Sequence, residues 1–175
     1  MADVRSPFVS QHGKRFGLAP GYLIIDGDQV GPPLNVAASA TGNTATTSEA
    51  TLKTYALPAA SLNAADQGIY VKAFGTFGGN AQNKRATLYV GGVNVTTASV
   101  TNSGSTWMLD ARYYKTGAST QRALTGGQIG STLLALASTT DTTTDTSDIT
   151  ISLKATSGSG SQSDIICHGL EVGFL

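Results

Sequence analysis

The stretch GIYVKAFGTF, residues 68–77, alternates in character, with Ile69, Val71, Ala73, Gly75 and Phe77 on one parity and Tyr70, Lys72, Phe74 and Thr76 on the other. Successive side chains of an extended strand point to opposite faces, so the first set reads as core and the second as outward. STWMLDARYY, residues 105–114, repeats the arrangement, with Trp107, Leu109, Ala111 and Tyr113 inward and Met108, Asp110, Arg112 and Tyr114 outward. Between the two, Ala86, Leu88 and Val90 run into Gly91-Gly92 and on to Val93 and Val95. That is a tight hairpin, because both glycines accept positive φ. Further strands are predicted over 51–57, 119–125, 132–137, 149–155 and 165–175, with Ile149, Ile151 and Leu153 inward. About eight strands, spaced roughly 8 to 12 residues apart by turn residues, read as an all-β antiparallel sandwich or barrel. Helical periodicity is nearly absent, which excludes a parallel βαβ architecture.

Residues 1–35 hold four of the five prolines, Pro7, Pro20, Pro32 and Pro33, together with Phe8, Phe16, Leu18 and the run Tyr22 to Ile25. Proline fixes φ and removes a backbone donor, so the expectation is an extended arm with one short strand over 22–25. The stretch from Ala37 to Ala50 is small and polar and reads as a linker. The expected division is therefore an arm and linker over 1–50 and a sandwich domain over 51–175. Phe8, Phe16 and Leu18 need burial, which the arm is expected to find on another chain.

Of the 175 residues 40% are hydrophobic and 13% charged, while 21 Gly, 24 Thr and 17 Ser make a surface of hydroxyls and backbone. Lys and Arg balance Asp and Glu at a net charge of +0, so no strong field draws the chain to nucleic acid or an anionic membrane. The longest apolar runs, Leu133 to Ala137 and Tyr22 to Ile25, fall far short of the roughly 20 residues a membrane-spanning helix needs. Met1 to Arg5 leads into a mixed polar segment with no apolar core of a secretory signal, so export by that route is not expected. The charges are unevenly spread: residues 67–140 hold six basic groups against Asp110, and residues 141–175 hold five acidic groups against Lys154. If the C-terminal strands pair beside the middle ones, the two signs partly neutralise within a subunit; on separate edges they would favour association of copies.

Groups able to do chemistry are few. Cys167 and His168 are adjacent in a strand pattern, so they point to opposite faces and make no nucleophile–base pair. His168 shares the parity of Ile166, Leu170, Val172 and Phe174, which predicts a core-lining or interface histidine. His12 has no carboxylate or cysteine at ligand spacing. The lone Cys167 excludes an intrachain disulfide and a cysteine-based zinc site. The run Ser157 to Ser161 lacks the ending of a phosphate loop and a following helix, and no Gly-x-Ser-x-Gly elbow occurs. The loop from Asp141 to Asp148 lacks the alternating carboxylates and closing Glu of a calcium loop and reads as a solvated connection. Asn94-Val95-Thr96 matches a glycosylation acceptor but falls in a strand. No metal or cofactor is expected. A glycan-degrading enzyme needs two carboxylates across a cleft, and of the acidic residues only Asp110 and Glu171 lie within sandwich strands, so no enzyme is expected. The outward stripe of Tyr70, Lys72 and Phe74 beside Asp110, Arg112 and Tyr114 mixes aromatic and charged groups as protein–protein contacts do.

The stretches TLKTYALPAASLNAADQGIYVKAFGTFGGNAQNKRATLYVGG, STWMLDARYYKTGASTQRAL and DITISLKATSGSGSQSDIICHGLEVGFL resemble the jelly-roll domain of structural proteins in tailed-bacteriophage virions, over residues 51–175. The resemblance implies a jelly-roll β-sandwich and a non-enzymatic virion part: a capsid cement or decoration protein, or a head- or tail-fibre domain. With the arm, it implies a homotrimer that binds the major capsid protein on the capsid exterior, after synthesis in the host cytoplasm. Arg5, Phe8, Lys14, Arg15 and Phe16 would be the capsid-binding residues of the arm. Tyr70, Lys72, Phe74, Asp110, Arg112 and Tyr114 would be the subunit interface. The alternative is a fibre domain that binds a host receptor or glycan; the absence of a heptad shaft favours decoration.

Overall fold

The computed structural model describes residues 8–9, 15–19, 22–25 and 28–30 as strands, and residues 35–175 apart from 97–99, 102–103 and 144–145. The chain is all-β, and its body is an antiparallel, jelly-roll-like sandwich. Its strands are β1 (Phe8–Val9), β2 (Arg15–Ala19), β3 (Tyr22–Ile25), β4 (Asp28–Val30), β5 (Asn35–Ala37), β6 (Thr41–Gly42), β7 (Ala50–Leu57) and β8 (Gly68–Phe77). They continue with β9 (Lys84–Val90), β10 (Val93–Thr96), β11 (Thr106–Gly117), β12 (Thr120–Ile129), β13 (Thr132–Asp141), β14 (Ile149–Ser157) and β15 (Ile165–Phe174).

The smaller sheet runs β10-β9-β14-β7 and the larger runs β13-β12-β11-β8-β15-β5, with β6 also pairing β15. The chain changes sheet at β6 to β7 to β8 to β9, again at β10 to β11, and at β13 to β14 to β15. Ile69, Val71 and Phe77 of β8 and Leu109 and Tyr113 of β11 are buried, as are Leu88 and Val90 of β9 and Ile149, Ile151 and Leu153 of β14. The rings of Phe77 and Trp107 stack at a tilt, 6.1 Å apart. The alternation of residues 68–77 and 105–114 is thus a readout of which side faces the second sheet.

Three sequence expectations need correction. The N-terminal region holds more than one strand: β1 to β4 form an antiparallel sheet of their own, with Phe8 opposite Phe16 and Phe16 opposite Ile25 in the register. Runs of two to five residues are too short to display a period, so only Tyr22 to Ile25 was legible. The sandwich also starts earlier than Thr51. Strands β5 and β6 pair with β15, and the buried Asn43 receives the Ile165 N–H on its Oδ1 at 2.8 Å. A polar side chain that caps an inner strand looks like linker composition. Finally, of the hairpin glycines only Gly91 takes a positive φ, at 58°. Gly92 answers to a close approach instead, as a Cβ there would stand 2.7 Å from the Asp141 carboxylate.

The C-terminal strands do pair beside the middle ones, β14 between β9 and β7 and β15 beside β8. The basic and acidic halves of the sequence are therefore interleaved within one subunit.

Candidate interaction face

The two outer faces of the sandwich differ. That of the smaller sheet carries Thr51, Thr54, Arg85 and Thr150, all exposed, and Lys154, whose Nζ lies 4.7 Å from the Tyr89 ring and 3.5 Å from Glu49. It is a solvent face. The larger sheet presents residues that water does not favour. The large hydrophobic side chains exposed among the described residues are Val36 (53%), Leu124 (43%), Leu133 (77%), Leu136 (74%) and Leu175 (55%). Register places the first four outward on this sheet: Val36 opposite Glu171, Leu124 opposite Arg112, Leu133 opposite Gln128, and Leu136 over Gly126. Leu175 completes the set, lining an outer groove of about 380 Å³ with Tyr70, Lys72, Met108, Asp110 and Arg112.

A bulge gathers the leucines. Thr125 pairs Ala137 and Gly127 pairs Leu134, so two residues of β13 oppose the single Gly126. The extra residue flips the parity, which puts Leu133 and Leu136 on the same side although they are three apart. Without the bulge one of them would face the core side. Large rings fill the glycine gaps on the same face. A Cβ on Gly169 would meet the Phe74 ring at 2.5 Å, and one on Gly173 would meet Tyr70 at 2.5 Å, so each ring fills the space a side chain would take at the neighbouring glycine. Such coverage holds β15 to β8 by side-chain packing as well as by the ladder.

One row crosses six strands from Val36 through Glu171, Lys72, Asp110 and Gly126 to Leu136. Charges of alternating sign sit at its centre, with an apolar residue at each end. Among the described residues the ion pair formed is Lys154 with Glu49; Lys72, Asp110, Arg112, Arg122 and Glu171 enter none. At one end of the face a hollow of about 440 Å³ is lined by Phe74, Thr76, Trp107, Met108, Gln128 and His168. There His168 Nε2 and Thr76 Oγ1 lie 3.1 Å apart, and the buried Trp107 Nε1 has no hydrogen-bond partner among the described residues.

Two polar knots stiffen the frame behind this face. Asp141, at the end of β13, accepts the Tyr113 hydroxyl (2.6 Å) and the Gly92 N–H (3.1 Å) on Oδ2, and the N–H (3.1 Å) and hydroxyl (3.0 Å) of Thr143 on Oδ1. Burial raises the Asp141 carboxyl, but the bonds from Tyr113, Gly92 and Thr143 outweigh it and hold it below the ordinary carboxylate range. Burial, followed by the bond to that carboxylate, pushes the Tyr113 phenol far above its usual value. The Asp141 loop is thus anchored to the β9–β10 hairpin at its first residue rather than solvated from its start. No group of three metal-ligating side chains occurs among the described residues. In the second knot Asp164 accepts Ser157 (2.7 Å), Asn80 (2.5 Å) and Ser159. Burial raises this carboxyl too, and those bonds and the nearby Lys84 bring it below the usual range. Lys84 itself is fully buried and donates from Nζ to the carbonyls of Asn80 (2.5 Å) and Gln82 (3.1 Å).

The structure brings together all six residues read as an interface: Tyr70, Lys72 and Phe74 on β8, and Asp110, Arg112 and Tyr114 on β11, outward on adjacent strands. The sequence reading missed Leu124, Leu133, Leu136 and Val36; an excess of leucine in a predicted strand, Leu133 to Leu136, was the available signal. His168 departs from its expected parity. A bulge between Cys167 and Gly169 turns it outward while Leu170 and Val172 stay in the core, so it is not core-lining. Cys167 is buried, and burial pushes its thiol up to about 11. Of the arm residues, Arg5 and Lys14 lie outside the described residues, and for Phe8, Arg15 and Phe16 the description is of the strand alone.

Fold and site define an antiparallel β-sandwich protein with a one-sided, partly apolar outer face. No family model matches the chain, and no curated protein matches it. Among solved structures it is similar to the CBM2 module of the evolved Dit of Lactobacillus casei BL23 phage J-1, with a TM-score of 0.37 and 12% identity over 68% of this chain. The match takes in 66% of that chain, just under two thirds of its length.

Proposed function

We propose that this chain is a non-enzymatic structural protein of a tailed-phage virion, a capsid cement or decoration protein that assembles as a homotrimer on the capsid exterior. Residues 1–35, with Arg5, Phe8, Lys14, Arg15 and Phe16, bind the major capsid protein. The observation that carries this reading is the placement of the exposed large hydrophobics on one outer face, on a body whose buried carboxylates serve packing. An enzyme concentrates unusual side chains in a cleft; here they are spread over a sheet, as in a part built to assemble. Attachment by several arms of one oligomer makes each further contact intramolecular, so weak single contacts add up to firm binding. The resemblance of residues 51–175 to virion jelly-roll domains supports the same reading.

The test is a variant lacking residues 1–20, mixed with capsids that lack this protein. The expected result is a folded, oligomeric variant that no longer co-sediments with capsids, and full-occupancy binding would refute the role of the arm. A second reading, a fibre domain that binds a host receptor or glycan, finds support in the hollow beside Phe74, Trp107 and His168. It predicts that the isolated protein binds host cells, and electron microscopy of virions would then place its density on a fibre instead of the capsid lattice.

A further inference from the structure

The proposal that the chain assembles leaves open where copies meet, and resting on that reading we infer that the leucine ridge of β12 and β13 is the contact between neighbouring copies. Its occupant is a second copy of this chain.

Strand β13 is the outermost of the larger sheet, and of its ten residues only Leu134 and Asp141 are shielded from solvent. Its outer ladder edge carries neither proline nor lysine, two of the devices that keep edges apart, and its bulge lies in the middle of the strand. The ridge above it, Leu124, Leu133 and Leu136, is apolar surface that gains by leaving water.

Two features select a copy of the same chain over a partner of another kind. The first is that residues 123–140 contain no ionisable side chain. Around a symmetry axis each residue comes close to its own equivalent, where like charges repel and leucines pack. An 18-residue stretch without charge, holding the two most exposed leucines among the described residues, suits that position. The second is the charge at the centre of the face. Glu171, Lys72, Asp110 and Arg112 carry both signs and form no ion pair among the described residues. A face with both signs is complementary to itself, whereas a partner of one sign would be repelled by half of it.

The measurement is the mass in solution, by sedimentation or light scattering, of the full chain and of Leu133→Glu/Leu136→Glu. Both leucines are about three-quarters exposed, so the substitution leaves the core untouched, and circular dichroism and thermal unfolding check this. The wild type is expected to run at a multiple of the 17.8 kDa chain mass at about 100 μM. The variant is expected to run as a monomer, its dissociation constant raised at least about 100-fold. Should the glutamates disturb the sheet, Leu133→Ser/Leu136→Ser replaces them, with at least about a tenfold weakening expected. Thr51→Glu/Thr150→Glu, on the opposite sheet, is expected to assemble as the wild type does. A wild type that stays monomeric, a folded leucine variant that assembles unchanged, or a threonine variant that falls apart as well would each overturn the inference. Capsid co-sedimentation of the same samples reads the virion role separately: a leucine variant that still assembles and still binds capsids defeats the ridge and spares that role.

Discussion

Replacing Asp141 by Asn should destabilise the sandwich by about 2–4 kcal/mol, although it changes one atom in a loop-proximal residue. The carboxylate serves four donors, two on each oxygen. An amide of the same shape must turn its NH2 toward one pair. Thr143 is only partly buried, so water can take over its donors, and the Asn oxygen will turn toward the buried Tyr113 hydroxyl. The loss is then the charge on the bonds from Tyr113 and Gly92, in a range where each bond to a charged group is worth about 1.5–3 kcal/mol, together with the release of the two Thr143 donors to water. Tyr113→Phe removes one donor of four and should cost less, about 1–2 kcal/mol. Because both changes delete the charged form of the same bond, the double variant should be less damaged than the sum, with a coupling of about 1–2 kcal/mol. Urea unfolding at one fixed protein concentration measures all three, with unchanged m-values expected. The parallel thermal scan should show a fall of about 6–12 °C for Asp141→Asn. A loss below about 0.5 kcal/mol, or strict additivity with Tyr113→Phe, would refute the view that this carboxylate ties β13 to the hairpin.

Acid should weaken the wild type in a defined window. Asp141 and Asp164 are held below the ordinary carboxylate range, so their contribution is complete above the unfolded value near pH 4 and is lost as pH falls through the lower folded values. Stability followed against pH should drop there for the wild type and less for Asp141→Asn; an equal slope would remove Asp141 from the account. Lys84→Met should cost about 3 kcal/mol in urea unfolding, because the carbonyls of Asn80 and Gln82 lose a buried donor and Asp164 loses a neighbouring cation. A neutral result would mean that the loop re-pairs without it. Cys167 is buried with its thiol pushed up to about 11, so it should resist a thiol reagent at pH 8 in the native protein and react at once in denaturant. Rapid native labelling would place it nearer the surface.

The body of the fold was legible wherever a strand is long and regular. Residues 68–77 and 105–114 face a second sheet on one side, so burial writes itself into the sequence as alternation. Parity counting fails at a bulge, and the two bulges on the outer face explain the two main misses. Counting through Ala135 sets Leu133 and Leu136 on opposite sides, and counting through His168 sends it to the core. Residues 35–43 escaped because Asn43 earns its burial through hydrogen bonds to strand backbone, which composition does not reveal. The outward set on β8 and β11 could be read, whereas the polar knots could not: nothing in the spacing of Gly92, Tyr113 and Asp141 announces that they meet.

The pairing of β5 with β15 sets the schedule on which the molecule can be completed. Ala37 finds Leu170 as its partner across almost the whole body, and β8 waits for the same strand on its other side. At a synthesis rate of about 5–20 residues per second, the early segment stays without its mate for roughly 7–27 s, a long exposure for a chain dominated by non-local contacts. Strands β11 to β13, joined by short turns, can form a ribbon in the meantime, with the leucine ridge open to the solvent. Crowding during synthesis on polysomes therefore bears on the same surface that is proposed above as the contact between copies, since that surface is complete before either sheet is whole.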